Sequence, residues 1–194
     1  MKIHLMENRT AQGYATFGGF WPRGEIRENA FALTNEQGVF VPIQSEIAAR
    51  WPDGSVKWSR HTVPAEQLGA GGELLPGNSA PTGGLAVKET PAGWTIDGDG
   101  VSLTVPREGN ALAVNGRGQG ANAFDRVFPV LRLCHVSETA EGSASVTRNL
   151  PAVIRARQME AAGPLEAVFR FEGAHLEDGK EKMPFLIRMS VREN

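Results

Sequence analysis

Short runs in which apolar and polar residues alternate dominate this 194-residue sequence, and Gly, Pro, Asn or Asp bounds each run. A period of two is typical of strands with one buried and one solvated face. The 23 Gly and 12 Pro residues, which show no three-residue period, supply the turns that many short strands need. The sequence therefore predicts an all-β protein. The clearest run places five apolar residues at successive odd positions, namely Met183, Phe185, Ile187, Met189 and Val191.

Turn residues between alternating runs predict two hairpins. Glu177–Lys180 separates an alternating run at 165–171 from the final run at 183–191, and a short polar connection of this kind joins antiparallel strands. Asp97–Gly100 separates two apolar runs in the same way. We therefore expect a hairpin at each place.

The same Asp97–Gly100 segment has the carboxylates of a calcium loop, and Glu108 falls at the twelfth position of an EF-hand register that begins at Asp97. Ser102 occupies the sixth position, where the sharp turn of that loop requires glycine. The sequence therefore favours a hairpin turn over a calcium site.

Further strands are predicted at 39–43 and 56–58, joined through the turn Trp51–Gly54, in which Pro presets φ and Gly accepts a positive φ. Residues 45–50 fit either a helical turn or an irregular strand. Residues 153–162 mix good helix formers with β-branched residues, so helix and strand both remain open there.

Glycine-rich stretches mark the predicted connections. Residues 65–84 lack periodicity and are interpreted as a long surface connection, which predicts domains 1–88 and 89–194. Residues 115–120 match no phosphate-binding spacing and are interpreted as a flexible loop.

The chain ends three residues after Val191, although that amphipathic strand should have neighbours on both sides, so we expect a fragment of a larger protein.

Composition excludes several function classes. A net charge of -2 gives no electrostatic excess for binding phosphates, so nucleic acid is not an expected partner. No apolar stretch is long enough for a signal sequence or a membrane span, so we expect a cytoplasmic protein with no membrane partner. The single cysteine, Cys134, is interpreted as a buried side chain, and the four histidines show no metal-ligand spacing. We expect no metal and no cofactor.

Three of the four tryptophans fall in two short segments, which supply the candidate binding residues Trp21, Arg23, Trp51, Lys57 and Trp58. Indole rings stack on the C–H faces of sugars, and Arg or Lys can pair with a uronate carboxylate. The competing interpretation, which the sequence favours, is that Trp51 and Trp58 fill the core of a small barrel.

Several motifs occur in a characteristic order along the chain, namely Gly19–Ile26, Phe31–Leu33, Gln37–Gln44, Ala48–Trp58 and, less tightly, Gly163–Val168 and Pro184–Arg188. This ordered set resembles the N-terminal part of the exo-rhamnogalacturonan lyase and YetA-like family. The resemblance implies a RIFT-type β-barrel followed by an antiparallel β-sandwich, of which only part is present here. In that family a large α/α-toroid domain follows and is thought to carry the lyase chemistry, and nothing in this chain resembles it.

The resemblance implies a non-catalytic β portion of a pectin-backbone lyase-like protein, which supports the missing domain or positions its substrate. No catalytic residue can be assigned in this chain, so we expect it to be inactive alone. Two other hypotheses stay open, namely a free-standing carbohydrate-binding module that contacts a pectin-type polysaccharide, and an interaction protein that associates with itself through an exposed sheet edge.

Overall fold

The computed structural model describes residues 1–4, 13–77, 83–118, 123–139 and 142–192. Strands account for most of these residues, which confirms the all-β prediction. No helix within these ranges is long and apolar enough to cross a membrane. The chain divides into two compact units. Unit 1 comprises Met1–Ala86, Ala161–Ala167 and Val191–Asn194, and unit 2 comprises Val87–Glu160 and Val168–Ser190.

Unit 1 contains a four-stranded sheet in the order β1-β7-β3-β4 and a three-stranded sheet in the order β2-β6-β5. The paired strands within these two sheets are antiparallel. The elements, in chain order, are β1 (Lys2–His4), β2 (Tyr14–Phe20), β3 (Phe31–Asn35), β4 (Phe40–Val41), β5 (Gln44–Arg50), β6 (Val56–Pro64), the one-turn helix α1 (Ala65–Leu68) and β7 (Gly71–Pro76).

The core of unit 1 is built from the inward apolar residues of these sheets and the segments that join them. Half-buried Ile3, Ala15, Phe17 and Ile47 pack around it. Burial of apolar area of this kind is the main favourable term in the folding free energy. The fully packed members are Trp21, Ile26, Phe31, Leu33, Val41, Ile43, Val56, Val63, Leu68 and Leu74.

The prediction of a long surface connection over residues 65–84 is wrong in part. Helix α1 occupies its start, and β7 lies inside the four-stranded sheet between β1 and β3. Leu74 of β7 is fully buried. Residues 78–82 lie outside the described ranges. The segment 45–50, left open between helix and strand, lies in β5, whose register against β6 is irregular.

The remaining strands form a five-stranded sheet in the order β12-β11-β10-β9-β8, a three-stranded sheet β15-β16-β17 and a two-stranded pair β13-β14. Residues 153–162 lie in β15 and are therefore a strand. In chain order these strands are β8 (Ala86–Thr90), β9 (Gly93–Gly98), β10 (Val101–Pro106), β11 (Ala113–Arg117), β12 (Phe124–Val127), β13 (Leu131–Thr139), β14 (Gly142–Leu150), β15 (Ala152–Ala162), β16 (Glu166–Glu177) and β17 (Lys180–Arg192).

Both predicted hairpins are confirmed. Strands β9 and β10 pair with Gly98 opposite Val101, and β16 and β17 are neighbours joined through Asp178 and Gly179. Both of these turn residues have positive φ, at 52° and 76°, which a two-residue hairpin turn of type I′ requires.

Three smaller predictions in this part of the chain are wrong. Cys134 is exposed on β13 rather than buried, and Met183 at the start of β17 is exposed as well. Residues 115–117 belong to β11 rather than to a flexible loop, whereas 119–122 lie outside the described residues. Gly116 fits the strand because the Phe124 ring on the neighbouring strand occupies the space that a Cβ atom would need.

Candidate functional site

Trp21 is a core residue and does not present its ring to solvent. Its side chain is 3% exposed and stacks on Phe31 with ring centroids 5.4 Å apart. The indole Nε1 donates a hydrogen bond of 2.8 Å to Ser59 Oγ, so its polar atom is satisfied inside the protein. Of the five candidate residues, Trp21 is therefore the one that the structure assigns to packing.

Trp58 lies on the surface, and the interpretation that it fills the core is wrong. Phe20 and Trp58 are opposite each other in the β2–β6 pair, are 47% and 45% exposed, and have ring centroids 4.9 Å apart. Trp51 joins them through an edge contact with Phe20 at 6.2 Å. We call Phe20, Trp51 and Trp58 the aromatic platform.

A β-bulge explains why Trp58 points outward. Val56 is fully buried, and strict alternation would bury the residue two positions later as well. Ala49 pairs with Trp58 and Arg50 with Val56, so Lys57 is an inserted residue on β6. An inserted residue of this kind exchanges the two faces of the strand for the side chains beyond it, so Trp58 points to solvent although Val56 is buried.

Trp51 is held in place from three directions. Its Nε1 donates to the carbonyl oxygen of Trp21 at 3.0 Å, and its ring meets the edge of Phe20. Lys57 Nζ lies 4.5 Å from the Trp51 ring centroid, a cation–π contact. Lys57 forms no ion pair with any described residue, so its positive charge is available at the platform.

The turn that follows Trp51 is closed by Asp53. One carboxylate oxygen accepts from Ser55 N at 3.0 Å and from Ser55 Oγ at 2.5 Å. The hydrogen bonds from Ser55, together with the Arg23 guanidinium, hold the pKa of Asp53 below its usual value. Arg23 Nε is 3.4 Å from the other oxygen and its side chain is 63% exposed, so this ion pair contributes little.

Two further arginines hold the same turn, and sequence reasoning missed both. Arg27 Nη1 donates to the carbonyl oxygen of Asp53 at 2.8 Å, and Arg50 Nη1 donates to that of Gly54 at 2.7 Å.

Sequence reasoning also missed Phe20. The sequence does contain a sign of its orientation. Phe20 precedes the inward-facing Trp21, and neighbouring residues in an extended segment point to opposite faces.

Beneath the platform lies a buried polar chain centred on His61, which is fully buried. Ser45 Oγ is 2.8 Å from His61 Nδ1, and Ser59 Oγ is 2.7 Å from Nε2. Burial lowers the pKa of His61 to about 4, so the ring is neutral at pH 7. A serine next to a histidine can serve as a nucleophile, but Ser59 and His61 are both buried, and their hydrogen bond satisfies buried polar atoms.

A second buried group in unit 1 is the Glu166 carboxylate, whose side chain is fully buried. It accepts from Arg60 Nη2 at 2.5 Å, from Thr62 Oγ1 at 2.8 Å and from Arg192 Nε and Nη2 at 2.9 and 2.6 Å. Burial raises the pKa of Glu166, but the hydrogen bonds from Thr62, Arg192 and Arg60 outweigh it, and the pKa lies below its ordinary value.

Gln44 connects the same segment to β5. Its Oε1 accepts from Leu165 N at 3.0 Å and from Glu166 N at 2.9 Å, and its Nε2 donates to the Glu166 carbonyl oxygen at 2.9 Å. The side-chain amide thus binds the main-chain N–H groups of Leu165 and Glu166, and it shares the Glu166 carbonyl oxygen with Gly163 N. Across the described ranges, no group of three His, Cys, Asp or Glu side chains is arranged to hold a metal ion.

Comparison with known protein families agrees with this architecture. Residues 1–73 match the model of the PcRGLX-like N-terminal RIFT barrel domain, and residues 85–194 match that of the PcRGLX-like protein central beta sandwich domain. The chain belongs to the PcRGLX-like family. The resemblance inferred from the Trp-Pro motifs is thereby confirmed, as are the RIFT-type barrel and the β-sandwich. The boundary at residue 88 stays a prediction.

A curated relative fits the same family. The chain is 28% identical over 191 residues to the protein YetA of Bacillus subtilis (strain 168). The alignment covers 90% of this chain and 21% of YetA, so the chain spans about a fifth of the length of that relative.

Proposed function

We propose that this PcRGLX-like chain is a non-catalytic β portion of a rhamnogalacturonan lyase-like protein, and that its aromatic platform binds the polysaccharide. The proposal rests on the exposed rings of Phe20 and Trp58 and on Trp51, whose ring is in cation–π contact with the Lys57 ammonium. Two large aromatic side chains that are nearly half exposed side by side are unusual on a small domain unless they serve a binding site.

The chemistry of the platform suits an acidic polysaccharide. Aromatic faces provide apolar contact area for the C–H faces of sugar rings, at a low cost in side-chain entropy. Lys57 supplies a cation next to that surface for a uronate carboxylate. The arginines that fasten the turn after Trp51 keep the site preformed, which reduces the free-energy cost of binding.

The platform is a poor place for β-elimination. That reaction needs a base for the C5 proton and a cation that stabilises the carboxylate-conjugated carbanion. Lys57 can act as a cation, but the nearest carboxylate in the turn, Asp53, is engaged by Ser55 and Arg23. Since its pKa is lowered, it is a weaker base than an ordinary aspartate. These features support binding without turnover.

The test is binding of rhamnogalacturonan oligosaccharides by isothermal titration calorimetry. We expect Phe20→Ala and Trp58→Ala each to weaken binding about tenfold, since loss of one stacking ring removes roughly 1.4 kcal/mol. Phe40→Ala is the matched control, because Phe40 is an exposed ring of the same unit at 68% exposure and belongs to β4, outside the platform. Equal affinity in all three variants and the parent chain would refute the platform.

The non-catalytic part of the proposal has its own assay. The isolated chain, incubated with rhamnogalacturonan, should give no increase in the ultraviolet absorbance of unsaturated uronates. A steady increase that disappears in a Lys57→Met variant would show that the platform is catalytic, and the proposal would then be wrong.

A further inference from the structure

Strands β13 and β14 of unit 2 form a two-stranded ribbon that pairs with no other strand in the part of the chain that the structure describes. Their antiparallel register runs from Leu131 opposite Leu150 to Thr139 opposite Gly142. A two-stranded ribbon is only marginally stable in water, because independent stability needs a third strand or a packed face. The outer edge of β13 is therefore a place where a further strand would stabilise the protein.

The ribbon leaves apolar side chains in solvent on both of its faces. Arg132, Cys134, Val136 and Glu138 share one face of β13, since residues two positions apart in a strand point the same way, and all four are exposed. Val136 is 60% exposed, and Val146 of β14, on the opposite face, is 66% exposed.

The charges of β13 lie near its two ends. Arg132 and Glu138 are six positions apart, about 20 Å at roughly 3.3 Å per residue, so they cannot pair with each other within one chain. Neither forms an ion pair with any described residue, and Arg132 Nε has one long hydrogen bond, of 3.5 Å, to Asn149. Residues 133–137 contain no Asp, Glu, Lys, Arg or Pro, the residue types that protect an exposed edge from pairing.

The sequence of β13 is complementary to itself in an antiparallel pair. When two copies of the strand pair about a two-fold axis through His135, Arg132 of each copy lies opposite Glu138 of the other. Cys134 lies opposite Val136 in the same way. Directly opposite Cβ atoms are about 4.5–5.5 Å apart, so long side chains of opposite charge reach each other. This single register therefore forms two ion pairs and two apolar pairs on one face.

Strand β14 has no such complementarity. Its one charged residue, Arg148, already contacts Glu177 of β16, and residues 142–150 contain no Asp or Glu. A copy of β14 placed against itself would bring no opposite charges together. The charges thus favour the β13 edge over the β14 edge.

We propose that the β13 edge is a dimerisation surface, at which a second copy of this chain adds its ribbon to form a four-stranded sheet in the order β14-β13-β13-β14. Main-chain hydrogen bonds between the two β13 strands supply the affinity, and the pairs of Arg132 with Glu138 fix the register. Both copies use the same surface, so the contact closes as a dimer instead of growing into a filament.

The test is analytical ultracentrifugation of this chain. Edge pairing buries less area than a standard interface, so we expect a monomer–dimer equilibrium with a Kd of about 50 µM, measured between about 5 and about 500 µM protein. The buffer contains a reductant, so that a disulfide at Cys134 does not imitate the dimer. It is held at pH 8, where histidine is generally neutral, because His135 of one copy lies opposite His135 of the other.

Arg132→Glu and Glu138→Arg should each weaken self-association about tenfold or more, because each change places like charges opposite each other at both pairs. An equimolar mixture of the two variants should recover the parent Kd within about threefold, since each mixed pair again joins an acid to a base. Arg126→Glu is the matched control. Arg126 is exposed on β12, the edge strand of the five-stranded sheet in the same unit, and its replacement makes the same change of charge.

Three results would overturn the proposal: a strict monomer at the highest concentration, an equal Kd in the parent and in Arg132→Glu, or a mixture that associates no more tightly than the single variants. A strict monomer would leave the ribbon to another occupant, such as the longer remainder of a YetA-like chain. Loss of the dimer in Arg126→Glu alone would move the contact to the β12 edge. Recovery in the mixture also shows that both variants are folded, because a misfolded ribbon could not restore the pairing.

Discussion

Replacement of Glu166 by Gln should destabilise unit 1 more than any conservative change of a charged residue on its surface. The carboxylate is fully buried and accepts hydrogen bonds from Arg60, Thr62 and Arg192. Gln keeps the shape of the side chain, but it removes the negative charge and turns one acceptor oxygen into a donor that faces other donors. Breaking a buried ion pair from one side costs about 3–5 kcal/mol.

Urea unfolding followed by tryptophan fluorescence is the appropriate assay, because Trp21, Trp51 and Trp58 all belong to unit 1. With a slope of about 2 kcal/mol per molar urea, the expected loss lowers the midpoint by about 2 M. Glu73→Gln is the matched control. Glu73 lies on β7 of the same unit and its side chain is exposed, so its loss should cost less than about 1 kcal/mol.

The pH dependence gives an independent check on Glu166. Because its folded pKa lies below the ordinary value of 4.5, its contribution to stability is complete above that pH and is lost as the pH falls through the folded pKa. The difference between parent and Glu166→Gln should therefore shrink in acid. A Glu166→Gln variant that unfolds within about 1 kcal/mol of the parent at pH 7 would refute the reasoning.

Two further predictions concern the interior of unit 1. Because the folded pKa of His61 is about 4 and its ordinary value is 6.5, the free energy of unfolding should fall by up to about 3 kcal/mol as the pH drops through this window. The test is the urea midpoint of the parent and of His61→Gln at pH 7 and pH 4.5. An equal change of midpoint with pH in both proteins would contradict the prediction. A Cβ atom at residue 163 would lie 2.4 Å from the Gln44 amide, so Gly163→Ala should cost about 1–3 kcal/mol in a thermal melt. Adding Gln44→Ala should then cost less than it does in the parent chain, and strictly additive losses would count against the contact.

The sequence predicted the elements whose pattern is local. The alternation of 165–171 and 183–191 and the polar turn between them identified β16 and β17, because period two and turn chemistry act over a few residues. The aspartates and glycines at 97–100 identified the β9–β10 turn for the same reason. The family resemblance then supplied the RIFT-type barrel and the sandwich, which no local pattern encodes.

Strand β7 was missed because its glycines have a tertiary role. A Cβ atom at Gly72 would lie 2.0 Å from the Thr34 carbonyl oxygen, and one at Gly71 would lie 2.3 Å from that of Ile3. These glycines allow β1 and β3 to approach β7 from both sides, whereas in sequence they indicate a break in regular structure. Propensity alone cannot separate these two uses.

The candidate site was predicted only in part, for two physical reasons. The aromatic residues were found by their type, but the outward orientation of Trp58 depends on the bulge at Lys57, which requires the partner strand to be known. Glu166 could not be found at all, because it is 106 residues from Arg60 and 104 from Thr62. Long-range pairs of this kind leave no periodic signal.

The discontinuity of unit 1 has a consequence for synthesis on the ribosome. Strands β1 to β7 emerge first, yet Arg60 and Thr62 meet their buried acceptor only when Glu166 appears, and Arg192 comes later still. At about 5–20 residues per second, the segment from residue 86 to residue 192 takes about 5–20 s to be made. During that interval Arg60 and Thr62 lack their buried acceptor, and the Gln44 amide lacks its main-chain partners at 165 and 166. The final closure of the barrel is therefore coupled to translation of the sandwich.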